Sequence, residues 1–193
     1  MLPKFFKPDV NIYLIRVGSK RDGGYFIPQK IIKNIDKIIS CGLGSDWSFE
    51  EDFKKKNNNV KIIFYDHSVH IWFWIKQSIN SIYFFLRYGN SFRNIFKFID
   101  YNYFFKRNNV EHKKYKISNK INFSKNEISL SKILDLEKYN LLLKIDIEGD
   151  EYKILNDIIK YQNKIDCLII EFHGIKKNKK KIKKFLKKMK QLK

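Results

Sequence analysis

Between Leu141 and Leu155 the chain reads LLLKIDIEGDEYKIL: an apolar run that ends in carboxylates and a glycine and passes directly into a helical pattern. A short, unbroken apolar run of this kind belongs to a strand buried on both faces, and such strands occur in parallel sheets covered by helices. Asp146, Glu148 and Gly149 therefore fall at the carboxyl end of a parallel strand, where open α/β sheets bind their ligands. Two further segments repeat the arrangement. Ile38–Glu50 (IISCGLGSDWSFE) is a strand, a glycine turn and a helix start, and Val60–Asp66 (VKIIFYD) is a strand closed by a carboxylate.

The remaining elements are read the same way. Strands are expected at Ile38–Cys41, Lys61–Tyr65, Leu141–Ile147 and Asp166–Phe172, with a short one at Lys114–Ile117. Helices are expected at Ser48–Lys56, where Asp46 or Ser48 can cap the first turn, at Ser129–Leu136, and from Asp150 to Tyr161. Strands alternating with helices define an α/β fold, a Rossmann-like doubly wound, mostly parallel sheet with helices on both faces. Residues 67–115 interrupt this rhythm. There Trp72, Trp74, Tyr83, Phe84, Phe92, Tyr103 and other aromatics interleave with Lys, Arg and Asn at helical spacing, which reads as two inserted helices partly covering the site. Large aromatics at helical spacing normally face inward. The alternatives are an acceptor groove in which Trp72 and Trp74 stack on sugar faces, or a single-stranded nucleic-acid platform using Arg87, Arg93 and Arg107.

A chain of 193 residues that is 44% hydrophobic and 16% aromatic is long and apolar enough for one domain, residues 1–193, with a buried core. It has no Ala and no Thr and is crowded with Lys, Asn, Ile, Phe and Tyr, the bias of an AT-rich genome. The formal net charge of +20 raises nucleic acid or an anionic membrane as partners. Much of the excess lies in residues 176–193, where Ile182, Phe185, Leu186 and Met189 recur at helical spacing. That stretch reads as a surface helix with one apolar stripe, or as a contact for an anionic surface. Cys41 and Cys167 sit in apolar strand patterns and are expected as buried free thiols. MLPKFFKPDV lacks a signal-peptide apolar region, and no apolar run reaches the roughly 20 residues of a membrane span, so a cytoplasmic soluble protein is expected.

Gly42 and Gly44 lie between a strand and a helix, where a glycine turn lets a ligand approach the backbone and the helix N-terminus. Asp66 ends the next strand about 20 residues on, the usual place for a carboxylate that binds ribose hydroxyls. Asp46 stands where a third glycine would complete a dinucleotide fingerprint, which disfavours a pyrophosphate and favours a nucleoside ligand such as S-adenosylmethionine.

RVGSKRDGGYFIP, ISCGLGSDWSFE, IFYDHSV, LLLKIDIEGDEYKIL and LIIEFHG, in that order, resemble the successive blocks of FkbM-type S-adenosylmethionine-dependent methyltransferases, over Arg16–Gly174 apart from the aromatic insert. The resemblance implies a class I methyltransferase fold with Gly42, Gly44, Asp66 and Asp146 at the cofactor and Asp146 and Glu148 beside the acceptor. It lifts Asp22-Gly23-Gly24-Tyr25, otherwise an ordinary turn, toward a segment folded over the pocket. Two departures stand out: Ser40 occupies a position that is often acidic in this family, and the last strands of the usual seven-stranded sheet are expected to be lacking. The strand at Asp166–Phe172 then becomes a sheet edge that invites self-association.

Methyl transfer to a hydroxyl needs positioning and a base for the departing proton. Asp146, Glu148, Glu171 and His173 are the candidates, with His173 or Asp146 favoured; His173 could equally be a loop histidine at a strand end. The same four residues could instead hold a divalent cation. Asp150 and Glu151 read as an acidic helix start that complements the dipole. His67 and His70 could touch an adenine or merely precede the next helix. The expected activity is O-methylation of a sugar hydroxyl on a glycan or glycolipid precursor. The competing reading is a catalytically degenerate protein of this fold that binds nucleic acid or anionic membrane through its basic face.

Overall fold

The computed structural model describes residues 12–20, 23–88, 96–138 and 140–189. Asp22, Phe92, Arg93, the residues before Ile12 and those after Met189 lie outside the described residues. A hairpin of β1 (Leu14–Val17) and β2 (Tyr25–Pro28) comes first, then a 3-10 turn over Gln29–Asn34. There follow β3 (Lys37–Cys41), α1 (Ser48–Lys56), β4 (Lys61–Tyr65), α2 (Ile71–Tyr88), α3 (Lys97–Phe105) and β5 (Val110–Lys113). The second half holds β6 (Lys116–Ser118), β7 (Glu127–Ser129), α4 (Leu130–Asp135), β8 (Leu141–Ile145), α5 (Glu151–Lys160), β9 (Ile165–Ile170) and α6 (Ile175–Lys188).

Five strands form one parallel sheet in the order β5-β4-β3-β8-β9. The chain builds outward from β3 through β4 to β5, returns to place β8 on the other side of β3, and finishes at β9. The switch point thus lies between β3 and β8. Period-two alternation divides the core into two layers. Ile38, Ile62, Phe64 and Leu142 pack with Phe49 and Phe53 of α1 and with Trp74 and Phe104 of the insert. Ile39, Ile63, Leu143 and Ile145 pack with α4, with Ile154 and Ile158 of α5, and with Phe185 of α6. This is the Rossmann-like α/β architecture read from the sequence, and Cys41 and Cys167 are buried free thiols. No helix among the described residues is long and apolar enough to cross a membrane.

Three local expectations are refined. The short strand expected at Lys114–Ile117 forms at Lys116–Ser118, and the outer strand beside β4, Val110–Lys113, was not foreseen; with only Val110 both apolar and buried, an edge strand leaves no periodic signal. Lys116–Ser118 instead pairs with Glu127–Ser129 in a separate two-stranded ladder. Trp47 holds the N-cap position of α1, yet Asp46 Oδ1 does accept from the first amide of the helix, Ser48 N, at 2.8 Å, whereas Ser48 Oγ turns away and donates to the Gly23 carbonyl. The aromatic insert is divided rather than wholly internal. Trp74 and Phe104 are core, whereas Trp72, Tyr83 and Tyr103 are exposed, so only Trp72 of the two insert tryptophans is free to stack on anything.

Candidate functional site

The carboxyl ends of β3, β4 and β8 surround a cavity of about 510 Å³, within the size range of small-molecule sites. Its floor is the switch point. Gly42, at φ +91°, is dictated by close approach: a Cβ there would lie 1.7 Å from the Asp146 carbonyl oxygen. Gly44, at φ +54°, differs in that a Cβ would meet nothing within 4 Å, so this part of the turn leaves bare backbone facing open space. Phe73 and Gln77 of α2 form a side wall, which places the insert beside the site as expected.

Asp66 is buried at the end of β4 and already fully engaged. Its Oδ2 accepts from Leu43 N at 2.8 Å and Gly44 N at 3.2 Å, and its Oδ1 from Ser68 N at 2.7 Å and Ser68 Oγ at 2.6 Å. Burial pushes its pKa up, but the Ser68, Leu43 and Gly44 hydrogen bonds outweigh this and hold the carboxyl below its ordinary value. A carboxylate offers about four lone-pair sites. Of the four donors only the Ser68 hydroxyl can swing aside without moving backbone, so a further hydroxyl donor could reach Asp66 only by taking its place. Beneath, His112 accepts from the Tyr101 hydroxyl at Nδ1 (2.7 Å) and donates from Nε2 to the Asp66 carbonyl (2.8 Å), which ties α3 and β5 to the site.

Beside the other side of the cavity, side chains from β2, the β8–α5 turn, the first turn of α5 and the β9–α6 turn converge. The Tyr25 hydroxyl of β2 lies 3.3 Å from Asp146 Oδ2 and 3.1 Å from Glu171 Oε2. His173 Nε2 is 3.9 Å from Asp146 Oδ1 and 3.5 Å from Glu148 Oε2, while Nδ1 donates to Glu151 Oε1 at 2.8 Å. Glu148 is a non-glycine residue at φ +52° with a largely exposed side chain. Burial and the neighbouring Glu171 raise the Asp146 carboxyl above its ordinary value, against Lys144 and His173. Burial and the adjacent carboxylates likewise raise the Tyr25 phenol. For His173, burial acts to lower the pKa, but the Glu151 hydrogen bond and charge, with Glu148 and Asp146, prevail and raise it.

Glu151 was expected as part of an acidic helix start, and it stands in the first turn of α5. It is also completely buried, accepts from Gly149 N at 2.9 Å, and orients the His173 ring, while Tyr152 donates to the His173 carbonyl. Asp150, at the N-cap position, pairs with Lys116 and Lys153. The overlooked signal is its helical phase: Glu151 precedes buried Ile154, Leu155 and Ile158 by three, four and seven residues. Tyr25 lines the cavity, in line with the reading of its glycine segment as folded over the pocket, but its bridge to Asp146 and Glu171 was not foreseen. Tyr25 is delivered by the glycine segment that folds over α1: Gly18 N donates to Asp52, Ser19 N to Ser48 Oγ, and the Asp46 carboxylate fills the space a Gly23 side chain would need. Ser40 has an acid supplied to it from α1. Glu50 Oε1, fully buried, accepts from Ser40 Oγ at 2.5 Å and from Lys144 Nζ at 3.0 Å, and the Lys144 ammonium lies 5.3 Å from the Tyr25 ring centre.

With Nδ1 committed to Glu151, His173 Nε2 is left to accept a proton. Asp146, Glu171 and His173 also offer ligand atoms all within 4.8 Å of one another, a set that could hold a divalent cation if the Tyr25 hydroxyl yields. Gly42, Gly44, Asp66, Asp146 and Glu148 all line the cavity; His173 stands behind Asp146 and Glu148. His67 lines it as well, and His70 sits at the start of α2, where its carbonyl accepts from Trp74 N.

The fold and cavity define a Rossmann-like α/β protein with a cavity at the switch point of its parallel sheet. No protein-family model matches the chain, and neither does any curated protein or solved structure.

Proposed function

We propose that the chain is an S-adenosylmethionine-dependent methyltransferase acting on a hydroxyl acceptor, with a sugar hydroxyl as the acceptor class that the FkbM resemblance implies. One observation carries the reading: a nucleoside-sized cavity has bare Gly44 backbone and a ribose-position carboxylate on one side and Tyr25, Asp146 and Glu148 on the other, with an oriented histidine behind those two carboxylates. When bound, the cofactor supplies an electrophilic methyl group. The residues supply the rest. The Leu43–Ser45 turn and Asp66 would hold the nucleoside; Asp146 and Tyr25 border the reacting end; the acceptor proton passes by way of Asp146 or Glu148 to His173 Nε2, and Glu151 stabilises the resulting imidazolium.

A base must be neutral to act, and His173 is raised above 6.5. The acid limb of the rate profile is therefore expected above the ordinary histidine value, and Glu151→Gln should move that limb downward.

Isothermal titration with S-adenosylhomocysteine tests the cofactor half. Binding in the micromolar range is expected, with Gly44→Val abolishing it and Ser68→Ala binding at least as tightly as the parent. Asp66→Ala alone is a poor control, because it also frees the Leu43 and Gly44 amides that shape the turn. A folded chain that gives no heat with the ligand would overturn the reading.

A further inference from the structure

Helix α2 packs on the body by one side, and only as far as Ser81; past it Phe84 and Tyr88 on that side are exposed as well. Trp74 and Ser81 are buried, and Phe73 and Gln77 line the cavity. A different side carries Ile71, Ile75, Ile79, Ile82 and Leu86, each at least 40% exposed. Spacings of three and four residues place these in one stripe, about 27 Å long for the whole helix and about a third of its circumference. Trp72 and Tyr83, also exposed, widen it. The only charged residues on the helix, Lys76 and Arg87, fall together on one flank, between the stripe and the cavity-lining side.

An exposed apolar face of this extent marks an interaction surface, and its charge selects the partner. The helix carries no carboxylate to meet a cationic partner, and a second copy of a chain with net charge +20 is repelled. An anionic lipid surface is attracted by the same charge and accepts the same stripe. No helix here can cross a bilayer, but a helix with one apolar face, flanking cations and an interfacial Trp and Tyr lies in the headgroup plane.

We infer that α2 docks in plane on an anionic bilayer, with the Ile71–Leu86 stripe at the acyl boundary and Lys76 and Arg87 at the phosphates. Phe73 and Gln77 lie on the opposite side of the same helix, so docking holds the cavity rim one helix diameter, roughly 10 Å, from the membrane surface. On the methyl-transfer reading, on which this last step rests, the acceptor hydroxyl is carried on a lipid-anchored molecule.

The test mixes the full chain, without cofactor, with vesicles of phosphatidylcholine alone or containing phosphatidylglycerol, and follows flotation and tryptophan emission. Trp47 and Trp74 are already dry at 6% and 3% exposure, so a blue shift on adding vesicles reports Trp72, which is 69% exposed. Expected are flotation with anionic vesicles only, weakened by salt, a blue shift absent from Trp72→Phe, and a loss of partitioning of roughly tenfold or more in Ile75→Asn/Ile79→Asn. These side chains are exposed, so the variant keeps its circular dichroism and urea midpoint. Three results would each overturn the inference: flotation unaffected by that variant and lost on neutralising the α6 lysines; a dimer by light scattering that the variant dissociates, with no vesicle binding; or no flotation at all. Vesicle binding by a chain that fails to bind S-adenosylhomocysteine retains the docking and removes only the acceptor class.

Discussion

The β8-α5-β9 unit and the α2-α3 insert are both rich in apolar residues, yet they spend them differently. In β8 all five residues are buried, and α5 turns Ile154, Leu155 and Ile158 onto the sheet. In α2 only Trp74 and Ser81 are buried, while most of its isoleucines face solvent. The first unit holds His173 rigidly through Glu151 and Tyr152; the second contributes a wall and a surface. Apolar content alone therefore does not distinguish a core element from an interaction element. What separates them is whether a second layer lies across the apolar face.

The comparison is broken most severely at its base, where Glu50 couples α1 to β8. Glu50→Ala leaves Lys144, only 3% exposed, as an unpaired buried charge and should cost about 3–5 kcal/mol in urea unfolding. Replacing Glu50 and Lys144 together by apolar residues of similar volume should restore most of that. Next in size is Ile158→Ala on the packed side of α5, fully buried, which should lose about 2–5 kcal/mol through the cavity it leaves.

A subtler contrast is protonic. His112, on the insert side, is lowered from 6.5 by burial, against the Asp66 carbonyl hydrogen bond and charge; His173 is raised. The signs are opposite. Stability linked to His112 is present above 6.5 and is lost as pH falls through that value toward its folded one, because the unfolded chain takes up the proton first. Stability linked to His173 is present below 6.5 and is lost as pH rises through its higher folded value. Histidine NMR titration should resolve one ring below and one above 6.5, and a His173 at or below that value would refute the Glu151 pairing. The smallest effect belongs to the insert surface: Ile79→Ser should change stability by no more than about 0.5 kcal/mol, in contrast to Ile158.

Much of this was legible in the chain. The apolar runs at Ile38, Lys61 and Leu141 and the carboxylates that end them placed β3, β4 and β8 and brought Gly42, Gly44, Asp66, Asp146 and Glu148 to one cavity. A strand buried on both faces must write its burial into consecutive residues, so the sheet interior is a local property of the sequence. β5 escaped notice because an edge strand such as VEHK needs only Val110 buried. Glu151 was read only as part of an acidic helix start and Glu50 was not singled out, because charge is read residue by residue, whereas their burial follows from helical phase against His173, Lys144 and Ser40, partners contributed by other segments.

The sequence by itself determined the parallel sheet and the carboxylates at its carboxyl edge, because these depend on short-range apolar periodicity and on where each strand stops; the strand order that sets the switch point came from the structure. Only the tertiary structure decided that Tyr25 bridges Asp146 and Glu171, that Glu151 orients His173, and that the α2 stripe faces outward. Each of those is a relation between segments distant in the chain, fixed by the packing of one layer on another, and no local pattern encodes which face will find a partner.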